Sequence, residues 1–239
     1  MKRAIKVFKY LLSDSIRPAA IFYLVIVLLT VIGATFTLTM NNWNFEFGGM
    51  RLATTIFLFV AGLNSFKSGY LFLQANGVTR RTFYAGGLVS IMALAAAMTV
   101  IDSILYAVLN IIVPVSQELS PLLYPQSGYP ATLVWTLAFN TLATVFGWVL
   151  TMVYYRSGKG LKIALSISPA ILLIGLILVS DATGGKLLES LSNAFCAVMG
   201  LTGTRSAWVG AGSMFVAAAL CAGLSFLLIR RAPVKEQDK

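Results

Sequence analysis

Residues 83–113 read FYAGGLVSIMALAAAMTVIDSILYAVLNIIV, with a single charged side chain, Asp102. As a helix the stretch extends roughly 46 Å at about 1.5 Å per residue, more than the roughly 30 Å hydrocarbon core of a bilayer. It predicts a membrane span. Five further segments have the same character: 19–40, 50–66, 131–155, 161–180 and 208–229. With 58% hydrophobic and 11% charged residues in a chain of 239, one soluble core would not hold this apolar surface. The fold class that follows is an all-α membrane protein of six transmembrane helices. It forms a single transmembrane domain over residues 1–239, with the bundle at 19–229 and a polar cytoplasmic tail at 230–239.

A net charge of +10 would suggest nucleic acid in a soluble protein. Here the basic residues fall in short clusters between spans, which is the pattern of membrane topology. Lys2, Arg3, Lys6, Lys9 and Arg17 precede span one, and Lys67, Arg80 and Arg81 lie between spans two and three. Arg156, Lys159 and Lys162 join spans four and five; Arg230, Arg231, Lys235 and Lys239 end the chain. All of these fall on one side of six spans, leaving Arg51, Lys186 and Arg205 opposite. The bias predicts both termini in the cytoplasm and no nucleic-acid partner. Trp43, Trp135 and Trp208 fall at the outer interface in this arrangement, and Tyr154 and Tyr155 at the inner one.

Before span one, Ile5, Phe8, Leu12 and Ile16 recur at helical spacing while Lys2, Lys6, Lys9 and Ser13 repeat on another face. The pattern predicts an amphipathic interfacial helix over 1–17, broken by Pro18. Segment 19–40 is too long for a signal-peptide core, so it is expected to be a retained first span. Of the outer connections, 41–49 is short, and 114–130 carries four prolines and is expected to be an irregular loop. Segment 181–207 presents Leu187, Leu188, Leu191, Phe195, Val198 and Met199 as one apolar face too short to cross, so it either lies on or dips into the outer leaflet.

Catalytic chemistry finds no residues to carry it. The chain has no histidine; Cys196 and Cys221 lie far apart, with no metal-ligand spacing. Intramembrane hydrolysis would need paired acids, a metal site or a nucleophile with its base. No Gly-x-Ser-x-Gly elbow is present, and Gly158-Lys159-Gly160 lacks the spacing and hydroxyl of a phosphate loop. No catalytic residue, bound cofactor or metal is expected on this chain.

Between spans two and three, Tyr70, Leu71, Leu73 and Gln74 suit a short helix, Asn76-Gly77 its left-handed stop, and Thr79 the cap of the next helix. So much ordered cytoplasmic sequence suggests a docking surface; an interfacial hairpin held by snorkelling arginines is the plainer account. The phrase Leu-Gln-Ala-Asn-Gly-Val-Thr-Arg-Arg-Thr-Phe (residues 73–83), after an amphipathic N-terminal helix and within six spans, resembles the permease subunits of type-2 (ABC-2 type) ABC exporters.

The resemblance implies that a cytoplasmic coupling helix, with Tyr70, Leu73, Gln74, Asn76, Gly77, Arg80 and Arg81, contacts a separate ABC ATPase subunit. ATP and magnesium would sit on that partner. It implies a connecting helix at residues 5–16, a re-entrant segment at 187–201, and a second membrane subunit, identical or a paralogue. A bacterial inner membrane is the expected setting, and the cargo a hydrophobic or amphipathic molecule: an amphipathic peptide first, a lipid or drug otherwise. The alternatives are a secondary transporter or a non-transporting membrane scaffold.

Span four places Thr136, Asn140, Thr144, Gly147 and Thr151 on one face, a stripe that suits helix packing and a substrate path equally. Ala93 with Ala97, and Ala219 with Gly223, have the small-xxx-small spacing of close helix approach. Pro169 in span five predicts a kink and is the hinge candidate. Asp102 is the one acid inside an apolar run. About 20 residues, roughly 30 Å, separate it from the start of span three, which predicts a place near the outer interface.

Overall fold

The computed structural model describes residues 2–39, 49–112, 119–203 and 205–230. Among them are nine helices: α1 (Lys2–Thr39), α2 (Met50–Asn64), α3 (Lys67–Ala75), α4 (Arg80–Ile112), α5 (Leu119–Leu123), α6 (Tyr129–Arg156), α7 (Lys159–Ala182), α8 (Lys186–Val198) and α9 (Ala207–Arg230). Six helical segments are long and apolar enough to cross a membrane, with α2 and α3 counting together as one. The chain is thus an all-helical protein with six helices able to span a bilayer. The predicted loop at 41–49 and tail at 230–239 lie, apart from Gly49 and Arg230, outside the described residues, as does Trp43.

The predicted break at Pro18 is absent, because α1 runs unbroken through it. The ring of Pro18 points outward, while Ala19 next to it is buried. Upstream, Val7 and Leu11 are buried, Val7 seated on Gly86 of α4 and Leu11 on Gly69 of α3 and Gly87 of α4. Contact with α4 thus continues on both sides of the proline and keeps the helix continuous where one backbone bond is lost. The apolar face chosen from spacing is only partly used: Ile5 and Ile16 stay about half exposed.

Helix α6 is the hub. It packs along α9 and α2 and more lightly on α4, while α1 lies along α4. Trp135 and Tyr155, assigned by sequence to the two interfaces, turn toward neighbouring helices. Trp135 is buried beside Tyr124 and stacked on Phe139, and Tyr155 packs edge-on against Phe66 and Tyr70. Trp208 is exposed. Part of the 114–130 loop is ordered: α5 is followed by a turn in which Ser127 N donates to Tyr124 O.

Helix α7 has no buried residue along its span and holds Pro169 without a break. Its ties to α6 run from the Tyr154 hydroxyl to Lys162 O and to the Ser166 hydroxyl. Helix α8 likewise buries nothing, so Leu187, Leu191 and Phe195 face outward from the protein.

Candidate functional site

The predicted helix, turn and helix between spans two and three are present. Two residues separate α2 from α3, and Tyr70 N donates to Phe66 O across the junction at 2.8 Å. Gly77 closes α3 with φ of 72°, a left-handed value that costs glycine little. Gly77 N and Val78 N donate to Gln74 O and Leu73 O, and Thr82 N donates to Thr79 Oγ1 to cap α4.

The residues named for this segment divide into two sets. Tyr70 and Leu73 are buried in the chain's own core, where Phe66, Tyr70, Phe83 and Tyr155 form an aromatic cluster with centroids 5.0–5.9 Å apart. They anchor the tip and leave no face for a partner. Asn76, Gly77 and Arg81 are exposed. Gln74 is half-buried, and Arg80 reaches across to donate to the carbonyl of Arg230 at 3.1 Å, tying α4 to the end of α9.

The span-four stripe lies against α2. Thr136, Asn140 and Thr144 are buried. Thr55 donates to Asn140 Oδ1 at 2.7 Å, Asn140 Nδ2 donates to Thr99 of α4 at 2.9 Å, and Thr151 donates to Leu63 O at 2.6 Å. A Cβ added to Gly62 would run into Thr144 O, and one on Gly147 into Phe59 O, so the two backbones meet glycine to backbone. In this conformation the stripe is a packed seam.

Asp102 sits in a polar node between three helices. It is fully buried; Tyr23 of α1 and Thr54 of α2 both donate to its Oδ1, at 2.8 and 3.1 Å. Oδ2 has no hydrogen-bond partner among the described residues. Three residues before Thr54 on α2, Arg51 is buried too: it donates to Thr136 at 3.4 Å and lies 4.9 Å from the ring centre of Tyr106. Arg51 also lines a cavity of about 240 Å³ with Thr55, Ser120, Trp135, Thr136 and Phe139.

No protein family, curated protein or solved structure matches this chain. Its function is therefore argued from its own geometry. Sequence reasoning missed Tyr23, Thr54, Thr55 and Thr99 as partners of Asp102 and Asn140. The adjacent pair Thr54-Thr55 was the available signal, since neighbouring residues on a helix point about 100° apart and so serve two different helices, α4 and α6. Among the described residues no group of three His, Cys, Asp or Glu side chains gathers to hold a metal.

Proposed function

We propose that this chain is the membrane permease subunit of an ATP-driven exporter of the ABC-2 type, coupled to a separate ATPase subunit and paired with a second membrane subunit. The observation that carries the proposal is the tip formed by α3, Gly77 and the start of α4. Its inner face is locked into the bundle by Tyr70, Leu73 and Phe83, while Asn76, Gly77 and Arg81 stay exposed. A force applied at those exposed residues passes directly into α2 and α4, because the anchor is packed aromatic side chains rather than a slack loop. Such a tip is suited to receive the stroke of an ATPase.

In this reading the tip is cytoplasmic, with both termini on that side of a bacterial inner membrane, and ATP and magnesium are held by the partner. The chain supplies no catalytic group. Few charges lie within the spans, which favours a hydrophobic or amphipathic cargo, an amphipathic peptide ahead of a lipid or drug. Parting of α2 from α6 would be needed before the Thr136–Thr151 face met any cargo. Pro169, in the loosely held α7, keeps its place as hinge candidate, and α8 as the outer interfacial or re-entrant segment.

One observation favours a secondary transporter instead: the buried Asp102, with Oδ2 unpartnered among the described residues, is the kind of group that binds a coupling ion. Two variants separate the readings. Arg81→Glu changes an exposed residue and is expected to abolish co-purification of the ATPase encoded beside this chain while membrane insertion is unchanged. Arg80 is a poorer probe because it also ties α9. If the ATPase never co-purifies, and Asp102→Asn alone stops transport, the exporter reading fails and the ion-coupled one replaces it.

A further inference from the structure

At the membrane end where α4 begins and α9 ends, a cavity of about 290 Å³ is lined by Thr79, Arg80, Arg81, Phe226, Ile229 and Arg230. Three arginines line it, and among the described residues no acidic side chain does. The walls are fixed. Tyr84 donates to Ala222 O at 2.7 Å and meets Phe226 edge-on at 5.1 Å, and Arg80 bonds the Arg230 carbonyl.

Capping of the last turn of α9 accounts for Arg80 alone. It does not account for Arg81 and Arg230 lining the same cavity, where like charges repel unless an anion lies between them. Arginine forks fit phosphate oxygens in paired hydrogen bonds, and the start of the long helix α4 adds its positive end.

We propose that this cavity binds the phosphate head of an anionic membrane lipid. Its lining decides between a lipid and a free phosphate. Half-buried Phe226, with Ile229 packed behind it, gives the cavity an apolar wall where two helices able to span a bilayer end, so a ligand with both a phosphate and an acyl chain matches the arginines and that wall. Basic pockets between spans at a membrane face take anionic headgroups by this chemistry. The cavity shares Arg80 and Arg81 with the tip assigned to the ATPase, but Arg230 lies outside that tip, and lipid binding by the chain alone does not need the ATPase.

The test uses the full chain, delipidated in detergent without any ATPase and titrated with dioleoyl phosphatidylglycerol or dioleoyl phosphatidylcholine under native mass spectrometry. One saturable phosphatidylglycerol per chain is expected, with phosphatidylcholine much weaker. In the double variant Arg81→Gln with Arg230→Gln, affinity for phosphatidylglycerol should fall about thirtyfold. A second double variant, Arg156→Gln with Lys159→Gln at a different basic junction, should bind as the parent does. Equal binding of the two lipids, an equal loss in both double variants, or full displacement by millimolar inorganic phosphate would each overturn the proposal. Retention of the parent's elution profile in size exclusion keeps a weak result from being read as misfolding.

Discussion

The two ends of the bundle are joined by different means. At the basic end Val7, Leu11, Phe66, Tyr70, Leu73, Phe83, Trp148, Met152 and Ile229 form one continuous apolar and aromatic core drawn from α1, α3, α4, α6, α9 and the α2–α3 junction. Toward the other end the helices are tied by side-chain hydrogen bonds: Tyr23 and Thr54 to Asp102, Thr55 to Asn140, Asn140 to Thr99, and Arg51 to Thr136. Lipid tails are as apolar as leucine, so burial there supplies little driving force, and helices must be held by close packing or polar bonds. The basic end uses the first and makes a stiff block around the α3 tip. The opposite end adds the second to a smaller apolar cluster around Trp135, Ala138, Ala211 and Met214, so that separate polar bonds join α1, α2, α4 and α6 there.

Between the two ends runs the Gly62–Gly147 crossing, and replacing it is the largest test of this division. Gly147→Leu would drive a side chain into the Phe59 carbonyl, an overpacking that we expect to cost more than about 3 kcal/mol and to abolish the monodisperse peak in size exclusion. Gly223→Leu, where a Cβ meets open space, should leave that peak unchanged. If both variants behave alike, close approach of α2 and α6 is not what joins the ends. Trp148→Ala comes next. A buried tryptophan in a water-soluble core loses about 3–5 kcal/mol on truncation, but in a bilayer the transfer part is small, so about 2 kcal/mol of lost packing is expected in thermal unfolding. A loss as large as in a soluble core would mean that water reaches the basic end.

The six-span plan was legible because span length and apolarity are local properties, written into stretches such as 83–113. The Gly77 stop and the Thr79 cap were legible for the same reason, each depending on a few adjacent residues. Which glycines meet was not. The small-xxx-small pairs that spacing offered, Ala93 with Ala97 and Ala219 with Gly223, include Ala97, Ala219 and Gly223 on the outer surface, while the close approach is made by Gly62 and Gly147 from different helices. Spacing along one helix carries no information about its partner. The stop expected at Pro18 failed similarly: local propensity favours a break, and the packing of Val7 and Leu11 on α3 and α4 overrides it. The Thr136–Thr151 stripe was visible as a face, but its occupant, α2, was not.

The smallest effects should come from the polar end, and they test whether its bonds are replaceable one at a time. Tyr23 donates both to Asp102 and to the Met98 carbonyl, so Tyr23→Phe removes one hydroxyl with two acceptors and should cost about 1 kcal/mol, within the range for hydrogen bonds between spans. Asp102→Asn should cost less, about 0.6 kcal/mol or under, because the amide oxygen still accepts from Tyr23 and Thr54 while the amide nitrogen takes the place of an oxygen with no partner among the described residues. Asp102→Leu leaves Thr54 without that acceptor and should cost more than the asparagine does. The order Leu, Phe, Asn in thermal unfolding marks the node as a set of separable hydrogen bonds. If instead Asp102→Asn is the most destabilising of the three, the charge itself holds α1, α2 and α4 together, and the polar end is as rigid a unit as the aromatic one.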